Sequence, residues 1–400
     1  MTFQLETELP QLHACAAPPA EAELQALPRC AAVVLLLGAG GESIQLATTQ
    51  NLQRFLISRL AAPTPEAAHR ADLTAVVRFI RWREVSCPFE ARWRHWRVAR
   101  QLFPKNYRDR IGFGPAWFLQ LEMGPLVSEL RLSDRPGASD APVLGPWPTH
   151  RSATQALEGL WDLFELCRYP EQVRRSPHGR RCAYADMGRC DAPCDGAAPL
   201  PVYEARVQDA WRFACGAIEP WLNAAEQHMR TAAEAHEFER AGLIKQQMAF
   251  ADRWRAEWSG RLRRFDEWRD ALLLPVSRRK AWKLFVFDRG AIVDGPVISD
   301  RKLLVEAPAW IVAQSAGLAE APDGLTRVEQ TWLMAHLLYH RDGESAIVLA
   351  VSLQSGAAEY ADRIQERRAA IRAAAERRPV EPVLGEDAAE LPQPDSENPE

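Results

Sequence analysis

Four of the eight cysteines, Cys167, Cys182, Cys190 and Cys194, fall close together at a C-x14-C-x7-C-x3-C spacing. Around them stand Arg168, Arg174, Arg175, His178, Gly179, Arg180, Arg181, Gly188 and Arg189, so the stretch has little apolar surface to bury. A polar loop of this kind needs a source of order other than a hydrophobic core. Four thiolates closed around one metal centre supply it. Tetrahedral zinc and a [4Fe–4S] cluster both accept four cysteines, so spacing alone leaves that choice open. The flanking arginines lower the thiol pKa values and favour ligation. The remaining four, Cys15, Cys30, Cys87 and Cys215, are scattered and read as ordinary thiols.

The rest of the composition sets the frame. A chain of 400 residues that is 47% apolar has the material for two or three domains with real cores. Its formal net charge of −4 excludes an overtly basic nucleic-acid binder, and only five of the 49 cationic side chains are lysines. The longest apolar run, residues 31–37, reads as a buried strand and is far short of a membrane span. No secretory signal pattern precedes it, so the expectation is a cytoplasmic protein with no membrane partner, whose thiols stay reduced or bind metal.

Pattern along the chain predicts an α+β fold. Residues 1–27 read as a loose, flexible leader. A strand at 31–37, a glycine turn, a strand at 43–48 and a helix at 51–60 form a small α+β unit, with further helices expected at 71–79 and 89–102. These make a domain over 28–110. Residues 111–200 read as a Gly/Pro-rich linker, a helix at 152–166 and the cysteine region. Long helices dominate 201–272, with two arms meeting near 234–238. Strands at 283–288 and 291–298 and helices at 325–340 and 356–377 make a C-terminal α+β module over 273–378. Seven acids and no base among the last twenty residues predict a disordered acidic tail over 379–400.

The wording of the cysteine segment is more specific than its spacing. Leu163-Phe164-Glu165-Leu166-Cys167, followed by Cys182-Ala183-Tyr184-Ala185-Asp186-Met187-Gly188-Arg189-Cys190-Asp191-Ala192-Pro193-Cys194-Asp195-Gly196, resembles the cysteine motif of UvrC-type excinuclease subunits and their shorter Cho-type relatives. Leu144-Gly145-Pro146-Trp147-Pro148 stands where that family has an F-G-P-Y-P turn. The resemblance implies an iron–sulfur cluster on the four cysteines, and a role in nucleotide-excision-type DNA repair. A second block, residues 235–248, looks like the family's UVR motif, a helical hairpin. That likeness implies docking onto a UvrB-like helicase through Phe238, Glu239, Ala241 and Lys245. Gly242 and Lys245 depart from the usual alanine and arginine.

The family's order of blocks implies a GIY-YIG nuclease domain at the N-terminus. Its hydrophobic frame is present and its chemistry is not. Val34 and Gln45 occupy the two tyrosine positions, Phe55 the arginine position and His95 the position of the metal-binding glutamate. A one-metal phosphodiesterase needs a carboxylate for Mg²⁺, a base near the attacking water and a cation on the developing charge. Valine and phenylalanine serve none of these, so a lost nuclease centre is expected. The rival expectation is a divergent endonuclease using Mg²⁺ with Arg54, Glu90 or His95. A third is a non-catalytic interaction module whose cysteines hold zinc.

DNA contact has its own signal. Between Arg78 and Arg110 ten bases face three acids, a local +7, with Trp82, Trp93 and Trp96 interleaved. Phosphate contacts beside aromatic platforms suit distorted DNA. The candidate residues are Arg92, Arg94, Arg97 and Arg100 here, and Arg174, Arg175, Arg180 and Arg181 in the cysteine loop.

Overall fold

A computed structural model describes residues 4–376, except 17, 62–70, 137–139, 278, 316–322 and 353. Among the described residues the fold is α+β, with three four-stranded antiparallel sheets. The acidic tail at 379–400 lies outside the described residues.

The first sheet has the order β1-β4-β2-β3. Its elements are α1 (Leu5–Glu8), β1 (Gln11–Ala14), α2 (Glu21–Gln25), β2 (Ala32–Leu37), β3 (Ser43–Thr49), α3 (Leu52–Arg59), β4 (Phe79–Glu84) and α4 (Pro88–Leu102). All six residues of β2 are buried because both faces of the sheet are covered. Val34 and Leu36 pack with Leu52 and Leu56 of α3, whereas Val33 and Leu35 pack with Ala91 and Val98 of α4.

Two expectations are corrected here. The leader is folded: β1 pairs with β4, Gln11 opposite Trp82, and Leu9 is fully buried. The helix expected over 71–79 is absent from its described residues, which pass through a turn into β4. Ile80 and Trp82 are buried and alternate with Arg81 and Arg83, a period of two that outweighs the local apolar content.

The stretch 111–150 is a second sheet rather than a linker. β5 (Trp117–Met123), β6 (Ser128–Ser133) and β7 (Val143–Trp147) join β8 (Arg263–Arg264) in the order β6-β5-β7-β8. Gly145 sits inside β7, where an added Cβ would lie 2.4 Å from the Phe118 ring. The glycine marks a close approach in a strand, not a boundary.

On this sheet lie α5 (His150–Leu163) and, after the short α6 (Pro170–Val173) and α7 (Ala183–Asp186), the helices α8 (Leu200–Ala214), α9 (Ile218–Glu234) and α10 (Phe238–Trp258). Thr149 and Ser152 form a capping box at the head of α5. Trp147 packs edge-on against Trp254, with ring centroids 6.3 Å apart, and Phe213 lies behind. The α9–α10 pair is an antiparallel hairpin turning at residues 235–237, as the sequence predicts.

The third sheet has the order β11-β10-β9-β12. It comprises β9 (Arg269–Pro275), β10 (Ala281–Asp288), β11 (Ala291–Ser299) and β12 (Ile347–Ala350). One face is covered by α11 (Leu303–Ser315) and α13 (Ala357–Glu376) through Ala307, Ile311, Tyr360 and Ile364. The other face packs Phe285 and Phe287 against α12 (Gly324–Tyr339) and against Phe89 and Trp93 of α4. The segments 28–110 and 273–378 therefore share one core, and α4 lies between two sheets that each need an apolar face covered. Among the described residues no helix is long and apolar enough to cross a membrane.

Candidate metal centre and nucleic-acid surface

Cys167 follows α5 after a left-handed turn at Glu165 (φ 54°). Its backbone N–H donates to the Tyr203 hydroxyl on α8 at 3.0 Å, which fixes the first cysteine against the helical core. Cys182 precedes α7 and is half-buried. Cys190 and Cys194 are buried on either side of Ala192, itself at φ 54°. Gly179 closes the loop. Its N–H donates to the Cys194 carbonyl at 2.8 Å, and a Cβ there would stand 2.9 Å from the Cys194 Cβ.

The thiols interact. Cys190 is pulled down to about 7 by a hydrogen bond from Cys167, and the same bond, with burial, pushes the Cys167 thiol up. Cys194 acts on Cys167 through charge, and burial raises its own pKa. Among the described residues no group of three or more His, Cys, Asp or Glu side chains is closed into a metal-holding geometry.

The four thiols have the donor chemistry of the group that the resemblance implies, but the described residues do not gather three of them into a metal-holding arrangement. Three of four thiols are buried, two are hydrogen-bonded, and Nη1 of the adjacent Arg168 is buried without an acceptor. Arg168 and the rings around it are features that the sequence reading missed. The signal was its place directly after Cys167, with a tyrosine inside the motif to stack on. Its guanidinium lies 4.1 Å from the Tyr184 ring centroid and 5.8 Å from that of Trp161.

The loop arginines divide. Arg174 donates to both carboxylate oxygens of the buried Glu129 at 2.8 and 2.6 Å, tying the loop to β6. Arg181 pairs with Asp186 and Asp195, each at 3.2 Å. Arg175 and Arg180 are exposed, and neither guanidinium has a recorded partner among the described residues. Both are available to an external anion.

The arginines of α4 have a different fate. Arg94 is buried and pairs with Asp294 and with Glu8 at 3.3 Å. Arg97 donates to Glu8 at 2.5 Å, and Arg100 meets Thr326 and Asp323. Arg92 is half-buried. Arg81 and Arg83 donate to backbone carbonyls of Leu9 and Glu8. Trp93 and Trp96 are core: Trp93 packs edge-on against Phe285, and Trp96 Nε1 donates to Glu329 at 2.9 Å. The expected phosphate-facing stripe with aromatic platforms is thus corrected. Acids from distant segments neutralise Arg94, Arg97 and Arg100, and the packing of two sheets buries Trp93 and Trp96.

The residues at the positions where the resemblance expects nuclease chemistry make structural contacts. Val34 is fully buried, and Gln45 accepts from Arg59 at 2.6 Å. Phe55 packs against the α3 side of the first sheet, and Arg54 is exposed. His95 is buried and hydrogen-bonded to the Leu46 backbone, and burial holds its pKa down to about 4. Glu90 is buried, accepts from the Ser86 N–H at 2.8 Å and lies 3.8 Å from Lys283 Nζ.

At the hairpin tip Phe238 is 67% exposed, and Leu243, which the sequence reading did not single out, is 57% exposed. Glu239 and Lys245 are exposed and Ala241 is half-buried.

Residues 118–213, from β5 to the end of α8, match the family described as UvrC/Cho excinuclease, middle domain. That segment contains all four clustered cysteines and the divided loop arginines. Over that segment the chain is similar to the UvrC/Cho-type excinuclease family. It is 24% identical over 225 residues to the UvrABC system protein C of Geobacter metallireducens, covering 56% of this chain and 36% of that protein. It is 34% identical over 136 residues to that of Thermus thermophilus, covering 33% and 22%. With the protein of the same name from Haloquadratum walsbyi the figures are 32% over 111 residues, 28% and 19%. The matched stretches span about a third or less of these relatives' own length. No solved structure matches.

Proposed function

We propose that this UvrC/Cho-type chain is a DNA-binding protein of nucleotide-excision-type repair that does not incise through a GIY-YIG centre. The observation that carries the reading is the match over 118–213, whose motif loop presents Arg175 and Arg180 unpaired beside the four cysteines. Two bidentate-capable guanidiniums on one short loop suit the phosphate backbone. Cys167, Cys182, Cys190 and Cys194 would hold a [4Fe–4S] cluster, with zinc as the alternative. When bound, that group supplies the order which the loop's apolar content cannot, together with a one-electron couple.

Loss of incision is supported by the residues at the family's catalytic positions. A buried neutral imidazole is a poor Mg²⁺ ligand, and Glu90 is already engaged by Lys283 and the Ser86 N–H. A UvrB-like partner is proposed for the hairpin tip, where Phe238 and Leu243 leave an apolar surface flanked by Glu239 and Lys245.

The test is anaerobic purification followed by iron, sulfide and zinc analysis. Binding and nicking assays then use damaged and intact duplexes with Mg²⁺ or Mn²⁺. The expected result is a brown protein that retains damaged duplex and leaves it uncut. Robust metal-dependent nicking abolished by His95→Ala overturns the reading.

A further inference from the structure

The C-terminal module has no part in the reading above, yet one corner of it gathers cations from three separate segments. Asp300, between β11 and α11, is the hub. Its N–H donates to the Lys280 carbonyl at 2.9 Å, which ties that turn to the start of β10. Its carboxylate accepts from Trp282 Nε1 at 2.8 Å, and both oxygens accept from Arg368 of α13 at 2.7 Å. Arg372 stands about one helical turn further along α13. The Trp282 hydrogen bond, with the charges of Arg368 and Arg372, holds the Asp300 carboxyl below its ordinary pKa.

The cations of this corner divide as those of the cysteine loop do. Arg368 is taken up by Asp300, Arg279 by Glu84 at 3.4 Å and Lys302 by Glu306 at 2.7 Å. Lys280, Arg301 and Arg372 are exposed, and none makes an ion pair or side-chain hydrogen bond among the described residues. They come from distant parts of the chain, so no run of charge announces them. Trp282 is half-buried with its Nε1 committed, and the corner therefore offers charge without a free stacking platform. That combination suits the phosphates of a duplex better than unpaired bases.

We propose that this corner is a second contact with duplex DNA, in which Lys280, Arg301 and Arg372 each meet a backbone phosphate. The proposal rests on the DNA-binding reading above and gives the C-terminal module a part in it. Asp300 and Arg368 hold the three segments together, so the cations are presented from a fixed backbone. Contacts of this kind add affinity and salt dependence and carry no sequence information.

The experiment uses the full-length chain and a fluorescent duplex, with and without a lesion, in anisotropy titrations over a range of salt. The variant combines Lys280→Gln, Arg301→Gln and Arg372→Gln. A control with the same net charge combines Arg151→Gln, Arg253→Gln and Arg341→Gln. The expected variant binds about tenfold or more weakly, and its salt slope falls by about three, one unit per phosphate contact. Its melting should match wild type, because the three side chains have no partners to lose. Lys280→Arg with Arg301→Lys and Arg372→Lys should keep both affinity and slope. Should the Gln triple melt early, Arg301→Gln alone decides: a slope lower by about one supports the proposal and an unchanged slope overturns it. Equal losses in the control overturn it as well, because they reflect total charge and not this corner. Labelled polyglutamate bound as tightly as the duplex, and lost with the Gln triple, would assign the corner to an acidic protein instead. A wild type that binds duplex while the folded triple binds it equally well overturns this proposal alone. A wild type that binds no duplex overturns the DNA-binding reading and this proposal with it.

Discussion

Helix α4 and the cysteine loop carry the same signal, arginines interleaved with aromatic rings, and fold to opposite ends. In α4 the rings become core and Arg94, Arg97 and Arg100 close on Glu8, Asp294 and Asp323. In the loop Arg174 and Arg181 are taken up by Glu129, Asp186 and Asp195, while Arg175 and Arg180 remain turned to solvent. The difference lies in the layers around them. α4 is held between two sheets, whose intervening elements deliver acids from far along the chain. The loop is tied to one sheet through Glu129 of β6, and the acids that Arg181 meets, Asp186 and Asp195, belong to the loop itself. Charge counted along the sequence is therefore a poor guide to charge displayed on a surface.

The comparison is broken most directly at α4. Arg94→Ala takes a guanidinium partner from Glu8 and from Asp294, and is expected to cost about 3–5 kcal/mol in denaturant unfolding. DNA affinity per folded molecule should not change. A large loss of affinity with normal stability would return α4 to the nucleic-acid surface.

A pH titration sharpens the same contrast. His95 is neutral when folded because burial holds its pKa at about 4, below the ordinary value of about 6.5. Unfolding lets it take up a proton. Its contribution is therefore complete above about pH 6.5 and lost as pH falls toward 4, amounting to roughly 3 kcal/mol. His95→Gln should flatten that limb of the stability curve. An unaltered acid limb in the variant would show that His95 is not the buried neutral group.

On the loop the expected effects are on binding rather than stability. Arg175→Ala with Arg180→Ala should weaken duplex binding about tenfold and reduce the salt slope by about two, one unit per phosphate contact. Unfolding should shift by no more than about 0.5 kcal/mol. A salt slope identical to wild type would remove the loop from the interface. The smallest stability effect is expected at the hairpin tip. Phe238→Ala and Leu243→Ala should each change stability by less than about 0.5 kcal/mol, because both side chains are already exposed. Capture of a UvrB-like helicase, measured by calorimetry, should still be lost.

Several elements were legible without coordinates because their signals are local. The apolar run of β2, the period of α3 and α4, the turn between α9 and α10, and the paired strands β10 and β11 all follow from patterns within a few residues. β1 and β4 were harder. β1 is a short edge strand made only by its pairing, and β4 alternates apolar residues with arginine. The sheet over 111–150 was hidden by Gly145 and Pro146, which mark breaks in an isolated segment but permit the Phe118 ring to approach here.

By itself the sequence determined the four-cysteine motif and the family it resembles. These are matters of residue identity at fixed spacing. Only the tertiary structure decided which arginines are free, because an ion pair is chosen by distance in space. Glu329 shows the limit: fully buried, it gathers Trp96, Tyr107 and Arg108 from more than two hundred residues away, and nothing local announces it.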